Sequence, residues 1–188
     1  MLILTVLILY SYILGSVTGA YFVVRMLTGE DVRKLGSGNV GATNAGRIAG
    51  KKGFLLTLLI DALKVYFALS LTAHLANGEM YVVLSAIFVM IGHGFPVVLG
   101  FHGGKGVVVY LTTALIFCPW SIVIFSLVMG SLYLIIRRYK FSGFVSMASI
   151  PLTAYMMDGS LIMFSGLAAL FFIMLLLHKR SILQPLSP

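Results

Sequence analysis

The chain has 188 residues, 60% of them hydrophobic and 10% charged, whereas soluble domains run at roughly 45–50% apolar and about 25% charged. That composition excludes a soluble globular protein. A bilayer core about 30 Å thick takes roughly 20 apolar residues per helical crossing, so the length holds about six or seven crossings and little else. Thirteen Lys and Arg against five Asp and Glu give a net charge of +8, which in such a chain reports loop orientation, not a nucleic-acid partner.

Apolar stretches run from Met1 to Val24, Phe54 to Leu75, Met80 to Leu99, Val107 to Phe117, Trp120 to Ile136, Gly143 to Met157 and Ser160 to Leu177. They predict an all-α integral membrane protein with seven transmembrane helices in one polytopic domain, 1–188. The fourth helix is short and the sixth is kinked by Pro151. Runs such as LLTLLI and FFIMLLL lack the alternation of barrel strands. The first stretch has no basic residue before it and reads as a retained helix, not a cleaved signal.

The basic residues alternate between connections. Arg25, Arg33, Lys34, Arg47, Lys51 and Lys52 lie in the first, Lys105 in the third, Arg137, Arg138 and Lys140 in the fifth, and Lys179 and Arg180 after the last helix. The intervening connections carry no Lys or Arg. With seven crossings the N-terminus is expected outside and the C-terminus in the cytosol.

The first connection contains Gly36-Ser37-Gly38-Asn39-Val40-Gly41-Ala42-Thr43-Asn44-Ala45-Gly46-Arg47. Clustered glycines let backbone N–H groups converge on an anion, Ser37, Asn39, Thr43 and Asn44 add neutral donors, and Arg47 adds a bidentate one. The same composition also suits a flexible loop with helix-capping side chains. Its G-x-G-x-x-G match is not a dinucleotide fingerprint, because its flanks are membrane helices.

The third connection reads Gly92-His93-Gly94-Phe95-Pro96, then Gly100-Phe101-His102-Gly103-Gly104-Lys105-Gly106. A lysine framed by glycines at a helix start is a second candidate anion site, or else a tight turn with a snorkelling lysine. It is not a Walker loop, since Gly106 stands where Ser or Thr must follow the lysine. The charge pattern puts both loops on one face, and two such nests suit a pair of phosphate-bearing substrates. His93, His102 and His178 share that side. Asp61 and Lys64, three apart within the second helix, are read either as a proton path or as a bolt between that helix and the loops.

Several chemistries are unsupported. There is no HExxH or Cys/His cluster for a metal, no GxSxG elbow, and no His-x4-Asp acyltransferase motif around the cytosolic histidines. The lone Cys118 excludes an intramolecular disulfide. Neither a metal nor an organic cofactor is expected.

GSGNVGATNAGR (Gly36 to Arg47) with the following GKKG, together with GHGFPVVLGFHGGKG (Gly92 to Gly106), closely resembles the acyl-phosphate:glycerol-3-phosphate acyltransferase family of bacterial membranes. The motifs agree in order, spacing and side, and length and hydropathy match across essentially the whole chain. The resemblance implies an enzyme of the inner membrane that moves a fatty acyl group from acyl phosphate to the 1-hydroxyl of glycerol 3-phosphate on the cytosolic side, giving lysophosphatidic acid and phosphate. On that basis Lys105, Arg47, His178 and Ser37 are expected to be catalytic. Gly38, Asn39, Gly41, Thr43, Asn44, His93, Gly103, Gly104, Gly106 and Ser181 are expected to bind substrate. The family's third motif resembles His-x-x-Asn-x-x-Arg; here His178 is kept, Ser181 replaces the asparagine and Gln184 the arginine. That departure leaves a catalytically weakened paralogue as an alternative, and a small transporter of a phosphorylated metabolite as another.

Overall fold

The computed structural model describes residues 2–183, and side chains as far as Lys179. Among the described residues there are eight α-helices and no strand: α1 (Leu2–Ser16), α2 (Gly19–Thr28), α3 (Ala42–Leu75), α4 (Glu79–Gly94), α5 (Val107–Phe117), α6 (Pro119–Ile136), α7 (Tyr139–Asp158) and α8 (Leu161–Leu183). Single 3₁₀ turns lie at Val32–Lys34 and Val97–Leu99. Five segments are long and apolar enough to cross a bilayer: Leu2–Thr28, Ala42–Leu75, Glu79–Leu99, Pro119–Ile136 and Leu161–Lys179. The expected all-helical architecture is present. The 11-residue α5 and the Pro151-bearing α7 fall outside these five.

Two predicted helices differ from the structure in instructive ways. The first apolar stretch is broken at Val17–Thr18 into α1 and α2, which continues to Thr28. The second begins at Ala42, inside the glycine-rich motif, and is interrupted at Ala49–Gly50, where Gly50 takes φ 66°. Small and polar residues from Ala42 to Gly53 carry no hydropathy signal, so this first segment of α3 escapes a reading based on apolar runs.

The break between α1 and α2 leaves backbone groups unpaired in a region where no water can satisfy them. Side chains from α3 supply the missing partners. Lys64 Nζ donates to Gly15 O at 3.1 Å and Val17 O at 2.8 Å, at the negative end of α1, while Asp61 Oδ1 accepts from Gly19 N at 3.1 Å, at the positive end of α2. The two charges pair with each other at 2.8 Å and are almost wholly buried. Of the two readings of this pair, the bolt is the one the contacts describe, and it fastens the broken first helix as well as reaching His93 at the start of the second loop.

The core is built around α4, which packs on α1, α3, α5 and α8. Small residues bring α1 and α4 to backbone contact: Gly15 lies against Val89, Gly92 against Tyr12, and Ser11 Oγ meets Ser85 Oγ at 2.8 Å, the usual device for close helix packing in lipid. Val89, Met90, Tyr110, Leu167, Leu170 and Met174 fill the centre. A second apolar cluster of Ala20, Val24, Val32, Val40, Ala45 and Leu99 lies under the two glycine-rich loops. Along α6 only Ser121 is fully buried; Ile122 and Phe125 are partly buried against the core, and the helix packs on α7 and α5.

Candidate active site

The two glycine-rich loops meet. A Cβ on Gly104 would stand 2.5 Å from Val40 O and would also strike His93 Nε2, so only glycine allows this approach. Leu99, from the second loop, sits in one cluster with Val32 and Val40 of the first. Arg33 adds a polar clip. It chelates Asp31, lies over the Tyr21 ring at 5.6 Å, and donates to Leu99 O at 3.1 Å. The guanidinium holds the Asp31 carboxyl below the ordinary carboxylate range, so this clip persists at neutral pH and is lost only as acid protonates Asp31.

Each loop ends on a helix N-terminus. Gly41 caps α3 and Gly106, at φ 80°, caps α5, so the positive ends of two helix dipoles point from the adjoining loops. Ser37, Thr43 and Arg47 are exposed or partly exposed around the first, and Gly38, Asn39 and Gly41 lie beside them. Gly103 lies against the carbonyls of His93 and Gly94, and Gly104 N–H donates to His93 O at 3.0 Å. The second loop is thus anchored to the end of α4.

Lys105 is half-buried between these elements. Its pKa lies below the ordinary lysine value because burial disfavours the ammonium and because the charges of Lys140 and Arg47 press on it. Among the described residues no carboxylate stands within ion-pair distance of Lys105, Arg47 or Lys140. Cations gathered without a counter-charge attract anions. His178 lies at the same end: Leu177 packs against Gly94 and Gly106, the Phe144 ring meets His178 edge-on at 4.8 Å, and the charges of Lys105 and Lys140 reach the imidazole. Because a carbonyl can only accept, the 2.9 Å contact from His178 Nδ1 to Met174 O puts the proton on Nδ1 and leaves Nε2 as an acceptor.

Two of the expected ligands point inward. Asn44 is buried and staples the first loop, accepting from Ser37 N at 2.9 Å and donating to Leu35 O at 3.0 Å and Val32 O at 3.4 Å. His93 is buried too, with Nδ1 2.8 Å from Lys64 Nζ. Ser181 lies on the last turn of α8 with its side chain outside the described residues, and Gln184 is wholly outside them. Conversely, sequence reasoning does not single out Lys140, whose charge acts on Lys105, or Ser142. In the sequence, Lys140 is one more basic residue on the same side as Lys105. Ser142, two residues on, buries a hydroxyl that finds no partner in the protein, the mark of a group left free for a ligand or water.

The sequence profile described as Glycerol-3-phosphate acyltransferase matches residues 5–187. The chain belongs to that family. It is 37% identical over 181 residues to "Glycerol-3-phosphate acyltransferase 1" of Desulfitobacterium hafniense, covering 96% of this chain and 90% of the relative. With "Glycerol-3-phosphate acyltransferase 2" of Thermotoga maritima it shares 36% identity, covering 79% and 76% of the two chains. The fold matches the crystal structure of PlsY (YgiH), described as an integral membrane glycerol 3-phosphate acyltransferase. Its glycerol 3-phosphate form aligns with a TM-score of 0.83 at 27% identity, over 95% of this chain and 90% of that one. The lysophosphatidic acid form aligns with a TM-score of 0.82 at 25% identity. With these relatives, the apolar helices make this family member a multi-pass membrane protein.

Proposed function

We propose that this acyltransferase moves a fatty acyl group from acyl phosphate to the 1-hydroxyl of glycerol 3-phosphate at the cytosolic edge of the bacterial inner membrane. The observation that carries the reading is the contact of the two glycine loops, which brings the loop of Lys105 to that of Arg47 with no carboxylate, among the described residues, within ion-pair distance of Arg47, Lys105 or Lys140. In this reading the chain crosses seven times, with α1 and α2 forming one broken crossing and the short α5 and the Pro151-bearing α7 completing the set. The basic connections then share the cytosolic side, as the positive-inside rule requires.

An acyl phosphate is a mixed anhydride whose phosphate already leaves well, so the protein contributes position and charge stabilisation in preference to strong acid catalysis. Arg47 and Lys105, with Lys140 nearby, hold the phosphate of glycerol 3-phosphate. Ser37, Asn39 and Thr43 hold the acyl phosphate, whose chain lies among the apolar helices, while Gly38 and Gly41 shape the loop through their own backbone bonds to Leu35 O and Asn39 O. The 1-hydroxyl oxygen attacks the acyl carbon, the bond from that carbon to the phosphate oxygen breaks, and inorganic phosphate departs. His178 Nε2, the unprotonated ring nitrogen, takes the hydroxyl proton. Gly103, Gly104 and Gly106 shape the second nest, and Asn44 and His93 hold the loops.

Purified protein supplied with palmitoyl phosphate and glycerol 3-phosphate is expected to release inorganic phosphate and form lysophosphatidic acid in equal amounts. Palmitoyl-CoA in place of palmitoyl phosphate is expected to give no product. Turnover with the thioester, or none with the acyl phosphate, would overturn the donor assignment.

A further inference from the structure

Capping the broken first helix accounts for three of the contacts made by the buried Asp61 and Lys64: those to Gly15 O, Val17 O and Gly19 N. It does not account for the fourth. Lys64 Nζ also lies 2.8 Å from His93 Nδ1, which leaves Nε2 as the other edge of the ring. That Nε2 edge faces Gly104. The backbone of the same histidine holds Gly104 a second time, through the 3.0 Å bond from Gly104 N–H to His93 O. Gly104 is therefore gripped by both the ring and the carbonyl of His93, and the next residue along is Lys105. Asp61 lies 3.9 Å from the same imidazole nitrogen, completing a buried Asp61–Lys64–His93 set.

A buried charge pair inside a membrane segment is costly, and helix breaks are commonly satisfied by hydroxyls or backbone alone. Directing the pair onto an imidazole that abuts a phosphate-binding loop is the arrangement by which outer groups fix inner ones. We propose that Asp61, Lys64 and His93 are positioning residues that hold the Gly103–Gly106 turn, and with it Lys105, in the register that binds the acceptor's phosphate. This rests on Lys105 being a phosphate ligand, as proposed above.

The test uses the full chain purified in detergent. His93→Asn keeps an acceptor near the place of Nδ1 but removes the ring edge from Gly104. Asp61→Asn with Lys64→Met removes both charges together, leaving neither stranded. Each is expected to raise KM for glycerol 3-phosphate about ten- to hundredfold, with kcat changed much less; His93→Asn should move the thermal midpoint little, whereas the double variant, which strips Gly15 O and Val17 O of their donor, should lower it. In a Lys105→Ala background each should add less than about a twofold loss in kcat/KM, because the route it acts through is already gone. A folded variant with unchanged KM, or the full loss persisting in the Lys105→Ala background, would overturn the proposal; if the double substitution does not fold, His93→Asn decides alone. If instead Lys105→Ala itself leaves KM unmoved, the assignment of Lys105 fails, and this inference with it.

Discussion

Lys105→Ala is expected to lower kcat/KM for glycerol 3-phosphate by about two to three orders of magnitude, the usual effect of deleting a preorganised charge stabiliser, while the protein remains folded. The ammonium is half-buried and, among the described residues, faces no carboxylate, so its charge is unspent in the free enzyme. The energy that crowds it against Lys140 and Arg47 is released when a phosphate dianion enters among them. High pH should act on the wild type in the same direction. Raising the pH through the depressed Lys105 pKa neutralises the side chain, so affinity for the substrate phosphate falls at a pH below the ordinary lysine value of 10.5. In Lys105→Ala that alkaline limb should be missing. Steady-state kinetics of the two proteins across the alkaline range check both statements, and near-normal turnover of Lys105→Ala would remove the residue from the site.

Gly104→Ala is the second large effect. A methyl group there meets Val40 O at 2.5 Å and collides with His93 Nε2. One is backbone, and the other is a ring bonded to Lys64, so neither can yield without parting the loops. Overpacking of this kind costs about 1–3 kcal/mol, which predicts a thermal midpoint lower by a few degrees. The catalytic loss should be larger than the stability loss, about a hundredfold in kcat/KM, because small displacements of positioning groups cost that much. Gly130→Ala is the matched control. It adds a methyl group to α6 with nothing within 4 Å and should leave rate and stability unchanged.

Much of this architecture is written in the hydropathy and charge pattern. The apolar runs mark the helices, and the alternating basic connections lead to the expectation that Arg47, Lys105 and Lys140 share one side of the bilayer. The glycine spacing marks both loops. What escapes is the direction in which short polar side chains turn. Asn44 has the composition of a ligand but lies in the first turn of α3, close enough to fold back on Leu35 and Val32, and spacing alone does not separate those outcomes. His93 similarly reads as a loop histidine until α3 brings Lys64 against it. Asp61 and Lys64 are recognisable as a pair from their spacing of three, yet their partners are backbone groups far away in the chain, exposed by a helix break that apolar composition hides. Lys140 joins Lys105 only because α7 starts beside the end of α8, where Phe144 touches His178, a tertiary fact with no local signature.

A double-mutant cycle between the two glycine loops tests most directly whether they form one site. Arg47 belongs to the first loop and its helix, Lys105 to the second. If both hold the same phosphate, Arg47→Ala combined with Lys105→Ala should have a kcat/KM for glycerol 3-phosphate close to that of the poorer single variant, because groups that act as a unit lose their effect together. Losses that simply multiply, as they do for independent positions, would mean that the loops serve separate sites and would contradict a shared phosphate.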